Sequence, residues 1–174
     1  LASKNAAAVA LQGKSVDLIV TDWFWVSRQR AEKRMFSFIP HSMSAGGLIV
    51  SNNSGINKID DLKGKKIGIA GGSVDKSWLI FRAYYQDALG KDLKDDSIQI
   101  FGAPPLLNKK IEQGSFDAIL TYWPYQARLK AKEFVTVISI SDVIGKLGID
   151  GNVPVIGWVF RDLWAEENSK KLNN

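Results

Sequence analysis

The chain of 174 residues has no cysteine, one histidine and two methionines. Without thiols it has no disulfide, no thiolate metal site and no cysteine nucleophile. His41 is the lone imidazole, with no second histidine or nearby carboxylate to complete a metal site or a catalytic couple. Long apolar runs are missing too. No stretch approaches the roughly 20 residues that a membrane-spanning helix needs, and none combines a charged start, an apolar middle and a small-residue cleavage site. Gly-x-Ser-x-Gly, Gly-x-Gly-x-x-Gly and the Gly-Lys-Ser/Thr ending of a P-loop are also absent. The expectation is a protein with no catalytic residues, no metal and no cofactor.

Basic residues number 23 against 18 acidic ones, a net charge of +5, but they are scattered. The densest cluster, Lys63, Lys65 and Lys66, sits beside Asp60 and Asp61. Nucleic-acid binding calls for a concentrated stripe of cations; a solvated surface and no nucleic-acid partner are expected instead.

What the chain does have is an internal echo. Ser15 to Ala31 reads Ser-Val-Asp-Leu-Ile-Val-Thr-Asp-Trp-Phe-Trp-Val-Ser-Arg-Gln-Arg-Ala, and Ser115 to Ala131 reads Ser-Phe-Asp-Ala-Ile-Leu-Thr-Tyr-Trp-Pro-Tyr-Gln-Ala-Arg-Leu-Lys-Ala. The two share Ser15 with Ser115, Asp17 with Asp117, Ile19 with Ile119, Thr21 with Thr121, Trp23 with Trp123, Arg28 with Arg128 and Ala31 with Ala131. Each copy follows a helix-favouring segment that ends in Gln-Gly, continues as a short apolar run and passes through Thr-x-Trp into a second helical pattern. That is a helix–strand–helix unit. Strand and helix patterns alternate along the rest of the chain, so the class is α/β with mostly parallel sheets. Open parallel sheets bind ligands beyond the carboxyl ends of their strands, and the echo therefore predicts a cleft with Thr-x-Trp on both walls.

Pattern and capping residues give the element bounds. Helices are expected at Ala2 to Gln12, Trp23 to Lys33 with Asp22 as N-cap, about Val74 to Leu89, Pro105 to Gln113, Pro124 to Lys132, Asp142 to Leu147 and Arg161 to Lys171. Strands are expected at Val16 to Val20, Phe36 to Ile39, Gly47 to Val50, Lys66 to Ala70, Ile98 to Phe101, Ala118 to Leu120, Val135 to Ser139 and Val155 to Phe160. The chain opens on Leu1 in what reads as the interior of a helix, so a further segment is expected upstream.

Three places carry possible binding chemistry. Gly71-Gly72-Ser73-Val74-Asp75-Lys76 lies where a strand gives way to a helix. Free amides, the helix dipole and the Ser73 hydroxyl there suit an anion, although a plain turn with Ser73 as N-cap fits equally. Thr21-Asp22-Trp23 and Thr121-Tyr122-Trp123 offer hydroxyls, a carboxylate and aromatic surface, or simply core packing. Ser42-Met43-Ser44-Ala45-Gly46-Gly47 places hydroxyls between two strands, in a cleft or in an ordinary turn.

At Asp60-Asp61-Leu62-Lys63-Gly64-Lys65-Lys66-Ile67-Gly68-Ile69, followed by Gly71-Gly72-Ser73, the chain resembles a type II periplasmic solute-binding protein of an ABC importer. The nearest branch is the one associated with nitrate, sulfonates, taurine and thiamine-precursor pyrimidines. Gln113-Gly114-Ser115-Phe116-Asp117-Ala118 and Trp123-Pro124 carry the same resemblance.

The resemblance implies two lobes joined by two crossings, near Leu48 to Asn53 and Val153 to Phe160. Residues 1–55 would form part of the first lobe with the first crossing, 56–150 the second lobe, and 151–174 the second crossing and return. It implies ligand contacts from Thr21, Asp22, Trp23, Ser42, Ser44, Gly72, Ser73, Asp75, Tyr122 and Trp123. It further implies capture of a small anionic or zwitterionic solute by hinge closure, an ABC permease as membrane partner, a monomer, and a periplasmic or membrane-anchored extracytoplasmic location. Enzymes share this fold, among them a pyrimidine-precursor synthase, whose cysteine-rich signature has no counterpart here, and a menaquinone-pathway lyase. So do effector-sensing domains of transcription regulators.

Overall fold

The echo extends to the backbone. Helix α1 (Lys4–Gln12) is closed by bonds from Lys14 N to Leu11 O and from Ser15 N to Ala10 O, and α5 (Pro104–Glu112) by bonds from Gly114 N to Ile111 O and from Ser115 N to Lys110 O. Lys14 and Gly114 both take left-handed φ, 61° and 71°, as do Lys33 and Glu133 further on, at 60° and 65°. Such closures leave the chain free to turn back along its own helix. A strand and a helix follow in each copy: β1 (Leu18–Asp22) and α2 (Trp23–Ala31), then β6 (Ala118–Thr121) and α6 (Trp123–Lys130). The next strands, β2 (Phe36–Ser42) and β7 (Phe134–Ser139), complete the correspondence.

The computed structural model describes residues 4–149 and 153–172. Its other elements are β3 (Gly47–Ser51), β4 (Lys66–Ala70), α3 (Lys76–Leu89), α4 (Leu93–Asp96), β5 (Ile98–Gly102), α7 (Ile140–Lys146), β8 (Ile156–Arg161), α8 (Asp162–Glu167) and α9 (Ser169–Leu172). The terminal helix expected as one piece is broken at Asn168, and α4, capped by the Asp92 side chain on Lys94 N, is an addition to the expected elements.

The chain divides into two units, Leu1–Met43 with Val153–Asn174, and Ser44–Asn152. The first holds a three-stranded sheet in the order β1-β8-β2, with β8 antiparallel to both neighbours. The second holds a five-stranded sheet in the order β5-β4-β6-β3-β7. In it β4 is parallel to β5 and β6, while β3 is antiparallel to β6 and β7. Within each sheet, then, one strand runs against the rest, and those two strands, β3 and β8, are the first to follow each passage of the chain from one unit to the other. The class is α/β. The expected lobe boundary at residue 55 differs from this division, because β3 is paired on both edges inside the second unit; the expected boundary at Asp150 lies outside the described residues.

In the first unit, α1 and α2 cover one face of the sheet, and Ala8, Leu11, Ile19, Trp25, Val26, Phe36 and Val159 form the core. The other face leaves Leu18, Val20, Ile39 and Trp158 more than a third exposed. In the second unit, Ile49, Ala70 and Ile119 pack against Leu107 and Ile111 of α5 and Leu129 of α6. The alternate residues Leu48, Val50, Ile67 and Ile69 are equally buried, so both faces of these strands are covered, as expected for the centre of a parallel-type sheet.

Candidate functional site

In the second unit the parallel neighbours β4 and β6 bring two distant pieces of sequence to one end of the sheet. After Ala70 the chain turns at Gly71, where φ is +90° and an added Cβ would lie 2.7 Å from the Tyr122 hydroxyl. Only glycine fits both the dihedral and the space. Asp75 N donates to Gly72 O at 2.9 Å, and the Asp75 carboxylate accepts from Ser77 N at 2.9 Å.

Asp75 is therefore the N-cap, and α3 starts at Lys76 rather than at Val74. Asp75 is a strong capping residue in the position that closes the first turn. Ser73 is relieved of the capping role and stands exposed, with Gly72 half-buried beside it.

Tyr122 sits at the N-cap position of α6 without capping it. Its hydroxyl lies 2.8 Å from Asp75 Oδ2 and 3.4 Å from Ala70 O. The shorter, charge-assisted bond is the stronger, so the single phenolic hydrogen goes to Asp75. The ammonium of buried Lys76 lies 5.1 Å from the centre of the Tyr122 ring, within cation–π range. The hydroxyls of Ser77 and Thr121 are buried here with no hydrogen-bond partner. Trp123, by contrast, is 52% exposed.

The first unit repeats part of this at the end of β1. Thr21 is buried and its hydroxyl likewise has no partner. Asp22 caps α2 through Trp25 N at 2.9 Å and meets the Lys4 ammonium with its other oxygen. Trp23 is 38% exposed and stacks on Phe24 with ring centres 4.0 Å apart. Both echoed tryptophans thus lie at the surface of their own units rather than in a core. Ser42 ends β2 at a register irregularity, half-buried opposite Ile156, while Ser44 is exposed and falls in the other unit.

Gly71, Asp75 and Tyr122 are brought together, with Lys76 against the Tyr122 ring. The Lys4–Asp22 pair, the Asp75–Tyr122 bond, the burial of Ser77 and the burial of Lys76 against the Tyr122 ring were not foreseen by sequence reasoning. The adjacent charges of Asp75 and Lys76 were the one local signal. Among the described residues no group of histidines and carboxylates is arranged to hold a metal ion, and no helix is long and apolar enough to cross a membrane.

Solved structures share this architecture. The periplasmic aliphatic sulphonate binding protein SsuA from Escherichia coli matches with a TM-score of 0.74 and 22% identity, over 99% of this chain and 57% of that one. The alkanesulfonate-binding protein SsuA from Xanthomonas axonopodis pv. citri, bound to MOPS, matches at 0.71 and 16%, over 94% and 54%. The ligand-binding component of an ABC-type import system from Staphylococcus aureus, with zinc bound, matches at 0.73 and 12%, over 99% and 57%. These likenesses show the fold, that of the type II periplasmic binding proteins, and this chain spans little more than half the length of each. The profile of the family described as NMT1/THI5 like matches residues 33–148, most of the chain, and the chain belongs to that family. Comparison with curated proteins gives no match.

Proposed function

We propose that the chain is part of the substrate-binding component of an ABC importer, working outside the cytoplasmic membrane as a monomer and delivering a small sulfonate-like anion to a permease. The observation that carries this reading is the turn of half-buried Gly72 and exposed Ser73 between the carboxyl end of β4 and the long helix α3, on a fold whose solved examples include proteins named for sulfonate binding. Backbone amides and a hydroxyl at the positive end of a helix suit an acidic group. The exposed rings of Trp23 and Trp123 offer surfaces for the apolar part of the solute. Thr21, Ser42, Ser44 and Tyr122 belong to the same proposed site, and capture by hinge closure to the same reading, which assigns no catalytic step and no nucleic-acid partner.

Isothermal titration with propane-1-sulfonate, nitrate and inorganic phosphate tests this. Saturable binding of the sulfonate, lost in Ser73→Leu and followed by recovery of the sulfonate unchanged, is the expected result. No heat with any alkanesulfonate would refute the reading, and recovery of a converted product would replace capture with turnover.

A further inference from the structure

We infer that the groove between α5 and α6 receives an extended acidic segment of a partner protein, its carboxylates on Lys109 and Arg128 and a backbone amide on Asn108. The inference lies wholly within the second unit and does not depend on which solute the protein captures.

The groove has a volume of about 530 Å³, and Asn108, Lys109, Glu112, Tyr125, Arg128 and Lys132 are among the residues that line it. Asn108 is the buried member of that lining, 8% exposed. Its Nδ2 donates to Tyr125 O at 2.9 Å and ties the two helices together, while its Oδ1 is buried with no hydrogen-bond partner. A buried acceptor left without a donor costs stability. Around it the walls are positive. Glu112 is neutralised by Lys132 at 2.9 Å, which leaves exposed Lys109 on α5 and exposed Arg128 on α6 with no carboxylate among the described residues. The Arg128 guanidinium lies 5.2 Å from the centre of the Tyr125 ring, a contact that holds it at the groove.

The echo provides a comparison for this helix pair. One hundred residues earlier, Ala8 of α1 stands for Asn108 and Trp25 of α2 for Tyr125. Ala8 and Trp25 are both buried in the core of the first unit. In that copy the first position needs only a methyl group, and the ring at the second packs inward. In the second unit the same two places carry a polar side chain with an empty acceptor and a half-buried ring, and Lys109 and Lys132 stand where the first unit has Val9 and Glu32. Packing of such a helix pair does not require an asparagine, and here the asparagine arrives together with the cations.

An acidic polypeptide meets both needs. Its carboxylates answer the two cations. An extended backbone also presents free N–H groups to Asn108 Oδ1, whereas the amides of a helical segment are spent within the helix. Complementary charge then fixes the register of the segment along the groove.

Fluorescence anisotropy with a labelled octapeptide of alternating glutamate and serine, at low ionic strength, tests this. Saturable binding is expected, about tenfold tighter than for the same peptide with glutamine in place of glutamate. Lys109→Gln and Arg128→Gln should each weaken it about tenfold, and Asn108→Ala, which installs the residue of the other copy, about fivefold. Lys91→Gln, outside the groove, should change nothing. Circular dichroism melts establish that each variant is folded, and if Asn108→Ala is not, the two exposed cations carry the test. Absence of binding, equal affinity for the glutamine peptide, or an equal loss in Lys91→Gln overturns the inference, as does full binding in Lys109→Gln and Arg128→Gln. Displacement of the peptide by an equal concentration of inorganic phosphate also overturns it, in favour of a small-anion site. Titration of all these variants with propane-1-sulfonate should match the wild-type protein, so the solute reading and this inference stand or fall separately.

Discussion

Thr121 on β6 stands directly across from Gly47 on β3. The echoed Thr21 on β1 stands in the same way across from Gly157 on β8. A Cβ at Gly47 would lie 2.5 Å from Ile138 O, and one at Gly157 would lie 2.3 Å from Ile39 O. Each reversed strand therefore runs close against a neighbour's backbone at the level of the threonine, and the two units share this device as well as their helix closures.

Gly47→Ala and Gly157→Ala should each destabilise the protein by about 3 kcal/mol, the upper end for overpacking, because the obstacle is backbone and cannot rotate away. Urea titration of each variant checks this. The threonines should behave oppositely. Their hydroxyls are buried and unpartnered, so Thr21→Val and Thr121→Val are expected to be neutral or stabilising by up to about 1 kcal/mol.

Arg161 ties the first unit together by donating to Leu11 O at 3.0 Å, to Val16 O at 2.9 Å and to Asp17 at 2.5 Å. Arg161→Met keeps much of the side-chain volume and strands both carbonyls. A loss of about 2–3 kcal/mol is expected. Amide exchange should accelerate in α1, β1 and β8 ahead of the second unit, and uniform acceleration would contradict this.

Stability should fall at both pH extremes for identifiable reasons. The hydrogen bond from Arg82 holds the Asp92 carboxyl down to about 2, against the opposing effect of burial. Its stabilisation is complete above the unfolded value near 4 and is lost as the pH falls through 2, an effect of about 1–2 kcal/mol. Burial, with the bond to Asp96, pushes the Tyr85 hydroxyl up to about 12. Here stabilisation is complete below pH 10 and lost as the pH rises to 12. Chemical denaturation across pH should show both slopes, with Asp92→Asn flattening the acid limb and Tyr85→Phe the alkaline one.

Trp23→Ala and Trp123→Ala should leave the melting temperature within a few degrees, since both rings are more than a third exposed. Each should weaken sulfonate binding about tenfold if the ring covers the apolar part of the solute. Unchanged affinity in both variants would remove the aromatic half of the proposed site.

The elements were legible where their cause was local. Gln-Gly closures, Asp22 as a cap and the apolar runs of the strands needed no tertiary information. Strand β2 runs on through Pro40 to Ser42, past the expected end at Ile39; it is an edge strand, where the missing proline N–H need not break a ladder. The start of α3 was displaced because Ser73 and Asp75 are both good caps, and only the surrounding structure decides between them. The partner of Asp75 was hidden for a different reason. Tyr122 reaches it because β4 and β6 are neighbours, and strand order across a sheet leaves no mark in the periodicity of either strand.

The sheet of the first unit has no pairing between β1 and β2; both bond to β8, which lies after the whole of the second unit in the chain. Ser44–Asn152 is continuous, so on the ribosome it is free to collapse while β1 and β2 still wait, with the apolar edges of an unfinished sheet, for Ile156–Arg161 to emerge. Assembly is thereby ordered in time, with the inserted unit free to finish first and the unit around it dependent on a strand made only after the whole of that insertion. Pulse-labelling hydrogen exchange during refolding should show β4 and β6 protected before β1, the order expected when long-range closure is the slower event.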